Sequence, residues 1–469
     1  MAESTDVIVL GVGTCGEDAA LRLLAAGLEV TGIEARLVGG ECAYWACLPT
    51  KSMIRSANLL QEARRADGLI GRVDVSPDWS LVAGRVRSEI TGSWDDAPAV
   101  ARFEGRGGTL VRGRGRLTGY KTVAVNDREF EARRGIVIAT GSVPAIPPIP
   151  GLAQLEYWTT RDAIGAESLP SSLLVLGGGP VGCELGQVFS RFGVDVTIVE
   201  GQNRLLGGEE PEASAAVMAA FEAEGIGIRT GVHVISVDSD TGGVVATLDD
   251  NSTLSAERLL IATGRHVELG GLGLDAAGID DSGRFIEVDA HLRAGAGVWA
   301  IGDVTGKGML THVALYQGTI AVADILGNGP PAASYDALPR GTFTDPEVGS
   351  VGLTEEQARN AGLDVQVVTK DLKATFRGWL HRSGNDGLIK LVADRQKGIL
   401  VGATAVGPHG AEVLGMLSVA VRTRAPLHQL VDMIYAFPTF HGGVGEALGA
   451  YGRGLTRVLD PGSQPMFDD

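Results

Sequence analysis

The first part of the chain combines short apolar runs with a glycine-rich turn and a stretch of helical spacing. Asp6 to Leu10 has the sequence DVIVL, a glycine turn begins at Gly11, and the stretch EDAALRLLAAG ends at Gly27. This order predicts a strand, a tight turn and a helix. A second apolar run, Glu29 to Ile33, predicts the next strand and leads directly into Glu34. The pattern therefore predicts a βαβ unit at the start of the chain.

The glycines of this turn are spaced as in turns that bind dinucleotides. Gly11, Gly13 and Gly16 form the pattern GxGxxG, and Glu34 stands 23 positions after Gly11. In such units the glycines let backbone N–H groups approach a pyrophosphate, and the acidic residue accepts a hydrogen bond from a ribose hydroxyl. The turn therefore predicts a nucleotide with a free 2′-OH. For a single copy, glycines that serve only close packing are the alternative explanation.

The same pattern occurs a second time, 166 residues further along the chain. A strand from Leu173 to Leu176 precedes the turn, whose glycines are Gly177, Gly179 and Gly182, and Glu200 again stands 23 positions after the first glycine. Two copies that both carry the acidic residue make the packing explanation much weaker. The sequence therefore predicts two nucleotide-binding domains.

Later segments complete the two predicted sheets. Strands that end in Ala-Thr-Gly place Thr140 and Gly141 after the first copy and Gly264 after the second, and the segment VWAIGD ends at Asp303. A proline-rich stretch over residues 142–151 marks a linker, and from about residue 336 the pattern becomes that of an α+β domain. The predicted fold class is therefore α/β, with two Rossmann-like domains and a C-terminal α+β domain. The predicted boundaries are 1–146 and 266–335 for the two parts of the first domain, 147–265 for the second and 336–469 for the third.

Composition and charge restrict the classes of function. The chain has 469 residues and a formal net charge of −17, which repels nucleic acid and anionic membranes. The segment from Arg106 to Arg116 resembles an RNA-binding tract, but a β-hairpin with outward arginines explains it better because interleaved aromatic residues are absent. The sequence shows no N-terminal signal and no apolar run of about 20 residues. We therefore expect a cytoplasmic protein without nucleic-acid or membrane partners.

Two of the four cysteines lie close together, directly after the first βαβ unit. Cys42 and Cys47 are five positions apart, and Pro49 follows them. A disulfide at this spacing requires a distorted helical turn, and strained, accessible disulfides are the labile and catalytic ones. Two buried cysteines and half of a metal site are the alternatives. A metal site lacks further ligands, since Cys15 lies in the phosphate turn and Cys183 in a helix.

Together these motifs resemble the class I pyridine nucleotide-disulfide oxidoreductases, the family that includes lipoamide dehydrogenase, glutathione reductase and mercuric reductase. The resemblance covers nearly the whole chain. It rests on both glycine turns, GGECAYWACLPTK around the cysteines, both Ala-Thr-Gly motifs, IGD at Asp303 and FTDPEVGSVGLT at the start of the last domain. As an ordered set these motifs are highly specific.

The resemblance implies a homodimeric flavoenzyme that passes a hydride from a nicotinamide cofactor through FAD to a disulfide between Cys42 and Cys47. FAD is expected on the first glycine turn and NAD(P)H, with NADH favoured, on the second. Cys47 is expected to be the charge-transfer thiolate beside the flavin, and Cys42 the interchange thiol that meets the acceptor. Lys51 and Glu184 match the family's ion pair near the flavin. The other cofactor-binding positions that the resemblance implies are Gly40, Glu41, Lys51, Thr140, Gly141, Asp303, His312 and Gly264.

The C-terminal motif departs from that of the family. Members carry a His directly before Pro-Thr and a Glu five positions later, a dyad that reaches across the dimer to the interchange thiol as its acid/base. This chain has Phe437 and Gly442 at those positions. His441 and Glu446 have the same separation, displaced by four residues, and are candidates for a shifted dyad. Ordinary polar residues are the alternative explanation.

Three further substitutions change the expected site. Glu41 stands where the family has Thr beside the FAD phosphate, and Tyr44 and Trp45 replace small and polar residues, which favours a planar or peptide-like acceptor. The cysteine pair of mercuric reductases is absent from the C-terminal RVLDPGSQPMFDD, which disfavours transfer of thiophilic metals. Three functions remain open at this point. They are an NADH-dependent reductase of a disulfide or another acceptor, a quinone or diaphorase-type reductase with accessory cysteines, and a redox sensor or assembly partner without turnover.

Overall fold

The computed structural model describes residues 2–240, 242–449 and 451, and the C-terminal RVLDPGSQPMFDD lies outside these ranges. No helix within them is both long and apolar enough to cross a membrane. The strands are β1 (Glu3–Leu10), β2 (Val30–Glu34), β3 (Thr109–Arg112), β4 (Gly115–Leu117), β5 (Thr122–Val125), β6 (Arg128–Ile138), β7 (Val143–Pro144), β8 (Ser172–Leu176), β9 (Asp195–Glu200), β10 (Gly227–Thr230), β11 (Val234–Asp240), β12 (Gly243–Leu248), β13 (Thr253–Ala256), β14 (Arg258–Ile261), β15 (Arg265–His266), β16 (Arg293–Gly295), β17 (Val298–Ala300), β18 (Pro339–Thr342), β19 (Glu347–Gly352), β20 (Val365–Asp371), β21 (Leu388–Asp394) and β22 (Ile399–Gly407). The α-helices are α1 (Thr14–Ala25), α2 (Gly40–Tyr44), α3 (Cys47–Arg64), α4 (Trp79–Arg85), α5 (Ala97–Gly105), α6 (Thr160–Gly165), α7 (Pro180–Arg191), α8 (Pro211–Ala223), α9 (Thr311–Ile325), α10 (Glu355–Asn360), α11 (Phe376–His381), α12 (Gly410–Thr423), α13 (Leu427–Val431) and α14 (Gly442–Leu448).

The chain divides into two compact units that interleave along the sequence. The first unit contains residues up to Ala57, Ser76–Val199 and His233–Tyr335. The second contains Asn58–Val75, Glu200–Val232 and the chain from Asp336 onward. This division is coarser than the four predicted segments, whose boundaries stay predictions.

An eight-stranded sheet forms the largest core of the first unit. Six strands follow the order β16-β17-β6-β1-β2-β3, and β4 and β5 continue beside β6. Successive residues of β1 alternate between two cores, with Val7 and Val9 in one and Ile8 and Leu10 in the other, and none of them is more than 3 % exposed. Burial on both faces explains why β1 is a continuous apolar run rather than an alternating one. The predicted α/β class is confirmed.

The second glycine pattern forms another parallel βαβ unit within the first unit. Strand β8 lies between β9 and β14, and both pairings are parallel. Helix α7 follows the turn after β8, as α1 follows the turn after β1. A separate antiparallel sheet, β11-β12-β13, follows in the chain.

The arginine-rich segment differs from its prediction. Strand β3 pairs in parallel with β2, whereas β4 pairs with β5, so the predicted hairpin is wrong. Arg112 and Arg116 are exposed while Val111 and Leu117 are buried, so the outward direction of these arginines is as predicted. Local alternation determines which face a residue occupies, but the pairing partner of β3 is a strand about 75 residues earlier in the chain.

A five-stranded antiparallel sheet, β18-β19-β22-β21-β20, forms the core of the second unit. Strands β21 and β22 cover the segments LIKLVAD and ILVGATAVG that the pattern predicts. Helix α12 packs on β19 and β22 and contributes Leu414 and Leu417 to a core shared with Leu391 and Ala403. The C-terminal part of the chain is therefore the predicted α+β arrangement.

A buried lysine lies among three carboxylates in this second unit. Lys390 on β21 is 2 % exposed, and its Nζ lies 2.9 Å from Glu210, 2.8 Å from Glu212 and 3.0 Å from Glu355. Burial alone lowers the pKa of Lys390, but hydrogen bonds from the ammonium to the three glutamates outweigh it and hold the pKa above its ordinary value. The ammonium therefore provides a counter-charge for Glu210, whose side chain is 3% exposed, and also pairs with the partly exposed Glu212 and Glu355.

Replacement of Lys390 by Met should destabilise the second unit by about 3–5 kcal/mol, because the buried carboxylate of Glu210 loses its counter-ion. Chemical denaturation near pH 7 measures the effect. Lys373→Met is the matched control because its pair with Asp386 is more than half exposed, and it should change stability little. An equal loss in both variants would contradict the role of Lys390.

Candidate active site

The first glycine turn contains two glycines that packing requires and one that it does not. A Cβ atom at Gly11, which has φ +94°, would clash with the carbonyl oxygen of Ala139, and one at Gly16 would clash with the carbonyl oxygen of Gly11. A Cβ atom at Gly13 would have only the Cα of Gly40, at 3.7 Å, within 4 Å. Packing therefore explains Gly11 and Gly16, while Gly13 leaves backbone open to a ligand.

The second glycine turn repeats this geometry. Gly177 has φ +111°, and a Cβ atom there would clash with the carbonyl oxygen of Ala262. A Cβ atom at Gly182 would clash with the carbonyl oxygen of Gly177, but one at Gly179 would meet nothing within 4 Å. Both turns therefore present the same open middle glycine at the start of a helix, which fits a pyrophosphate.

The acidic residues predicted to bind ribose are held by the backbone. The two carboxylate oxygens of Glu34 accept hydrogen bonds from the amides of Val12 and Arg36, both at 2.7 Å. Burial raises the pKa of Glu34. Glu200 ends β9 and accepts from the amide of Gln202 at 2.8 Å. A carboxylate offers about four acceptor positions, so the two hydrogen bonds to Glu34 leave capacity for a ribose hydroxyl.

Further predicted cofactor positions lie at the same edge of the large sheet. Gly11, Thr140 and Gly302 follow the ends of β1, β6 and β17, which are neighbouring parallel strands. Asp303 comes next and accepts a hydrogen bond from Ser142 Oγ at 2.5 Å. The open backbone at Gly13 fits the phosphates of FAD. The acidic side chains on either side of it fit the hydroxyls.

The two cysteines lie on different helices. Helix α2 ends at Tyr44, Trp45 has the non-helical φ of −137°, and α3 begins at Cys47. Both cysteines are free of disulfide bonds and of intermediate exposure. The break at Trp45 is the distortion that a spacing of five positions requires if both sulfurs are to share one site.

One hydroxyl joins the two sulfurs. The Oγ1 of Thr311 lies 3.2 Å from Cys42 Sγ and 3.3 Å from Cys47 Sγ. Thr311 is the first residue of α9, a helix of 15 residues, so the positive end of the helix dipole lies beside the sulfurs. Thr311 was not predicted as a site residue; its position directly before His312, one of the implied cofactor-binding positions, was the available signal.

The protonation of the two thiols is asymmetric. A hydrogen bond with Cys42 is the main cause that lowers the pKa of Cys47 to about 6, and hydrogen bonding to Thr311 and the charge of Lys51 lower it further. The same hydrogen bond, together with burial, raises the pKa of Cys42. At neutral pH the pair therefore consists of a Cys47 thiolate that accepts a hydrogen bond from the Cys42 thiol.

Lys51 and Glu184 form the predicted ion pair. Their Nζ–Oε2 distance is 2.7 Å, and the Glu184 side chain is 3 % exposed, whereas that of Lys51 is 37 % exposed. Lys51 lies on α3, one turn after Cys47, which explains its electrostatic effect on that thiol.

His441 and Glu446 do not meet. Glu446 pairs with Lys370 at 3.5 Å and accepts from the amide of Phe376 at 3.4 Å. His441 is the N-cap residue of α14, and its ring lies 6.2 Å from that of Tyr435. Within the described residues no hydrogen bond joins His441 to Glu446, so the chain itself does not assemble them as a dyad.

An ion pair and a stack of two tryptophan rings lie beside the cysteine segment. Neither is predicted from the sequence. Arg161 on α6 forms an ion pair with Glu41, and its guanidinium lies 5.9 Å from the ring centre of Trp45. Trp94 stacks on Trp45 with centroids 4.9 Å apart and donates to the carbonyl of Tyr44 at 3.3 Å. The face of Trp45 is therefore occupied by other side chains, which weakens the expectation that it stacks on a planar acceptor.

Comparison with known proteins finds relatives of nearly full length. The family profile described as pyridine nucleotide-disulphide oxidoreductase matches residues 5–318, and the profile of its dimerisation domain matches residues 338–448. The chain is 35% identical over 461 residues to a dihydrolipoyl dehydrogenase of Chlorobaculum tepidum, which covers 95% of this chain and 97% of that protein. It is 34% identical over 451 residues to a mercuric reductase of Streptomyces lividans, with 92% and 93% covered. The solved structure of the HOCl-induced flavoprotein disulfide reductase RclA of Escherichia coli matches with a TM-score of 0.84 at 25% identity, covering 95% of this chain and 99% of that one.

Replacement of Thr311 by Val should raise the pKa of the Cys47 thiol by roughly one unit or more, because a hydrogen bond to a charged group is lost. The pH dependence of alkylation of Cys47 in the reduced protein measures this pKa, which is about 6 in the unmodified chain. Thr319→Val is the control, since Thr319 is exposed on the same helix and bonds the carbonyl of Leu315. An unchanged profile in Thr311→Val would show that the hydroxyl does not stabilise the thiolate.

Proposed function

The chain belongs to the pyridine nucleotide-disulphide oxidoreductase family, and we propose that it uses NADH to reduce a Cys42–Cys47 disulfide and passes the reducing equivalents to a disulfide acceptor. As a member of this family it is an FAD-dependent NAD(P)H oxidoreductase. FAD, when bound on the first glycine turn, supplies the two-electron transfer between nicotinamide and dithiol. NADH and the disulfide then give NAD⁺, one thiol and one thiolate, which is the protonation that the cysteine pair favours.

The asymmetry of the thiol pair carries this proposal. Cys47 keeps a low pKa because Cys42, Thr311 and Lys51 all stabilise its negative charge. The pKa of Cys42 is raised, so Cys42 holds the proton. A thiolate and a thiol in hydrogen-bond contact are the two forms that thiol–disulfide exchange requires.

The pair can supply its own acid and base. Cys42 gives its proton to Cys47 and attacks one sulfur of the acceptor disulfide, which forms a mixed disulfide and releases a thiolate. That leaving group takes the proton back from Cys47. The Cys47 thiolate then attacks the Cys42 sulfur of the mixed disulfide, closes the Cys42–Cys47 disulfide and releases the second thiolate to be protonated by water. The protons of this cycle are accounted for without the His of the family motif. Phe437 occupies the position of that His.

His441 remains the second candidate for the acid/base. It lies in the same C-terminal segment as Phe437, and Lys370 competes with it for Glu446. A histidine without its carboxylate partner can still transfer a proton, although nothing then fixes its tautomer. The two candidates make opposite predictions for a His441 variant.

A homodimer formed through the second unit is part of the proposal. The match to a dimerisation domain over residues 338–448 supports it. Large apolar side chains are exposed on that part of the chain: Ile434 is 96% and Phe437 72% exposed, and Phe376 and Trp379 are about half exposed. Exposed apolar side chains of this number favour association with a second copy.

NADH is the proposed nicotinamide cofactor. Glu200 would accept from a ribose 2′-OH and repel a 2′-phosphate. Arg204, four positions after Glu200, is a cation that could offset it, but its Nη2 donates to the carbonyl oxygens of Gly207 at 2.9 Å and Glu209 at 3.3 Å. This nitrogen is therefore used within its own loop, which favours NADH.

Anaerobic reduction by NADH followed by mixing with lipoamide, glutathione disulfide or a benzoquinone tests the proposed function. Cys42→Ser should abolish reoxidation by the disulfides and leave reduction of bound FAD by NADH intact. His441→Ala should change disulfide turnover by less than about threefold if the thiols exchange their own proton, and slow it by about 10²–10⁴-fold if His441 is the acid/base. Disulfide turnover that persists in Cys42→Ser, or turnover with the quinone alone, would overturn the proposal.

NADH should exceed NADPH in kcat/KM by at least about tenfold, because a carboxylate faces the position of the 2′-phosphate. Glu200→Gln should reduce this preference, while Arg204→Gln should leave it unchanged. Steady-state rates with both cofactors and a dye acceptor measure the ratio. A lower NADPH rate in Arg204→Gln would show that Arg204 does reach the phosphate.

A further inference from the structure

Glu41 lies directly against the first phosphate-binding turn. The amide of Gly39 donates to the carbonyl of Val12 at 2.8 Å, and Thr14 Oγ1 donates to the carbonyl of Gly39 at 3.0 Å. A Cβ atom at Gly40 would lie 2.7 Å from the Cα of Gly13, the middle glycine with open backbone. Glu41 follows Gly40 directly, so its backbone adjoins the turn that fits the FAD diphosphate.

A carboxylate at this place opposes the binding of an anion. The diphosphate and the carboxylate are like charges in a partly buried environment, where Coulomb interactions are screened less than in water. The turn itself offers backbone dipoles but no cation. Glu41 therefore needs a compensating charge if the turn is to hold FAD.

Arg161 is placed to provide that charge. Its Nη2 pairs with Glu41 Oε1, and Arg36 approaches the same oxygen at 3.7 Å. Helix α6 holds Arg161 in its first turn, and a reciprocal capping box between Thr159 and Asp162 fixes this end of the helix. The pair has little freedom to separate, because the backbone at both partners is hydrogen-bonded in place.

Two polar atoms of this pair are left without partners. Arg161 Nε and Glu41 Oε2 are both buried, and the described part of the chain offers neither of them a hydrogen bond. Buried polar atoms without partners are uncommon in folded proteins and indicate a group that completes the site. A donor N–H beside a phosphate-binding turn is suited to a phosphate oxygen.

We propose that Arg161 is a residue of the FAD site, which neutralises Glu41 and so permits the diphosphate to bind beside a carboxylate. The inference rests on FAD occupying the first glycine turn, as the proposed function requires. A purely structural role, in which the ion pair only attaches α6 to α2, is the competing explanation. The two explanations differ in what the Arg161–Glu41 ion pair contributes to. In the proposal it contributes to FAD affinity, and in the alternative only to the stability of the apoprotein.

A double-mutant cycle on FAD affinity distinguishes them. Apoprotein is prepared for the wild type, Arg161→Gln, Glu41→Gln and the double variant, and the dissociation constant for FAD is measured by fluorescence quenching. Arg161→Gln should weaken FAD binding by roughly tenfold or more, because an uncompensated carboxylate then faces the diphosphate. Added salt should reduce this loss. Glu41→Gln should bind FAD at least as tightly as wild type, and the double variant should recover most of the affinity that Arg161→Gln loses.

Two further variants separate charge from folding. Arg161→Lys keeps the charge and should bind FAD within about threefold of wild type, even if Arg161→Gln does not fold. Arg293→Gln breaks an ion pair with Asp324 elsewhere in the first unit and should leave FAD affinity unchanged. The proposal is overturned if Arg161→Gln binds FAD like wild type, or if the double variant is as weak as Arg161→Gln. A wild-type apoprotein that takes up no FAD would instead refute the proposed function itself.

Discussion

A ladder of backbone hydrogen bonds across the carboxyl edge of the parallel sheet is the constraint on which the site depends. The amide of Gly11 donates to Ile33, that of Ala139 to Leu10, and that of Ile301 to Ile138, at 2.8, 2.7 and 2.9 Å. These bonds bring four chain segments to one edge, although they lie up to about 290 positions apart in sequence. Gly11 must lack a side chain because the neighbouring strand passes so close to it. The same construction recurs around Gly177, with bonds to Val199 and from Ala262 to Leu176, each 2.8 Å long.

Much of this arrangement was predictable, because it depends on local patterns that repeat. The glycine spacing, the apolar strands and the acidic residue after the second strand are all short-range signals, and strands β21 and β22 match their predicted segments. Prediction failed where a distant segment decides the outcome. The arginine-rich stretch was given a hairpin because its two strands are adjacent in sequence, yet β3 completes the large sheet beside β2. Alternation within a strand cannot reveal which strand it pairs with.

The same limit applies to the site. Cys42, Cys47 and Lys51 are predicted together because one short motif carries them all. Thr311, which joins the two sulfurs, comes from a segment more than 260 positions away, and Arg161 approaches Glu41 from 120 positions away. His441 and Glu446 show a different limit of local spacing. Their spacing suggested a dyad, but Lys370 and the amide of Phe376 hold Glu446, so equal spacing does not ensure contact.

The departures from the family pattern are connected by a common physical requirement, which is that a removed or added charge must be balanced nearby. Where Thr is replaced by Glu41, a guanidinium is present to pair with the new carboxylate. Where the motif His is replaced by Phe437, the Cys47 thiolate accepts a hydrogen bond from the Cys42 thiol and so places a base beside it. We propose that the first replacement leaves an anion-binding turn usable, and that the second leaves thiol–disulfide exchange possible without an imidazole. An unpaired carboxylate beside the turn would oppose an anion there, so the ion pair of Glu41 favours a turn that still binds one.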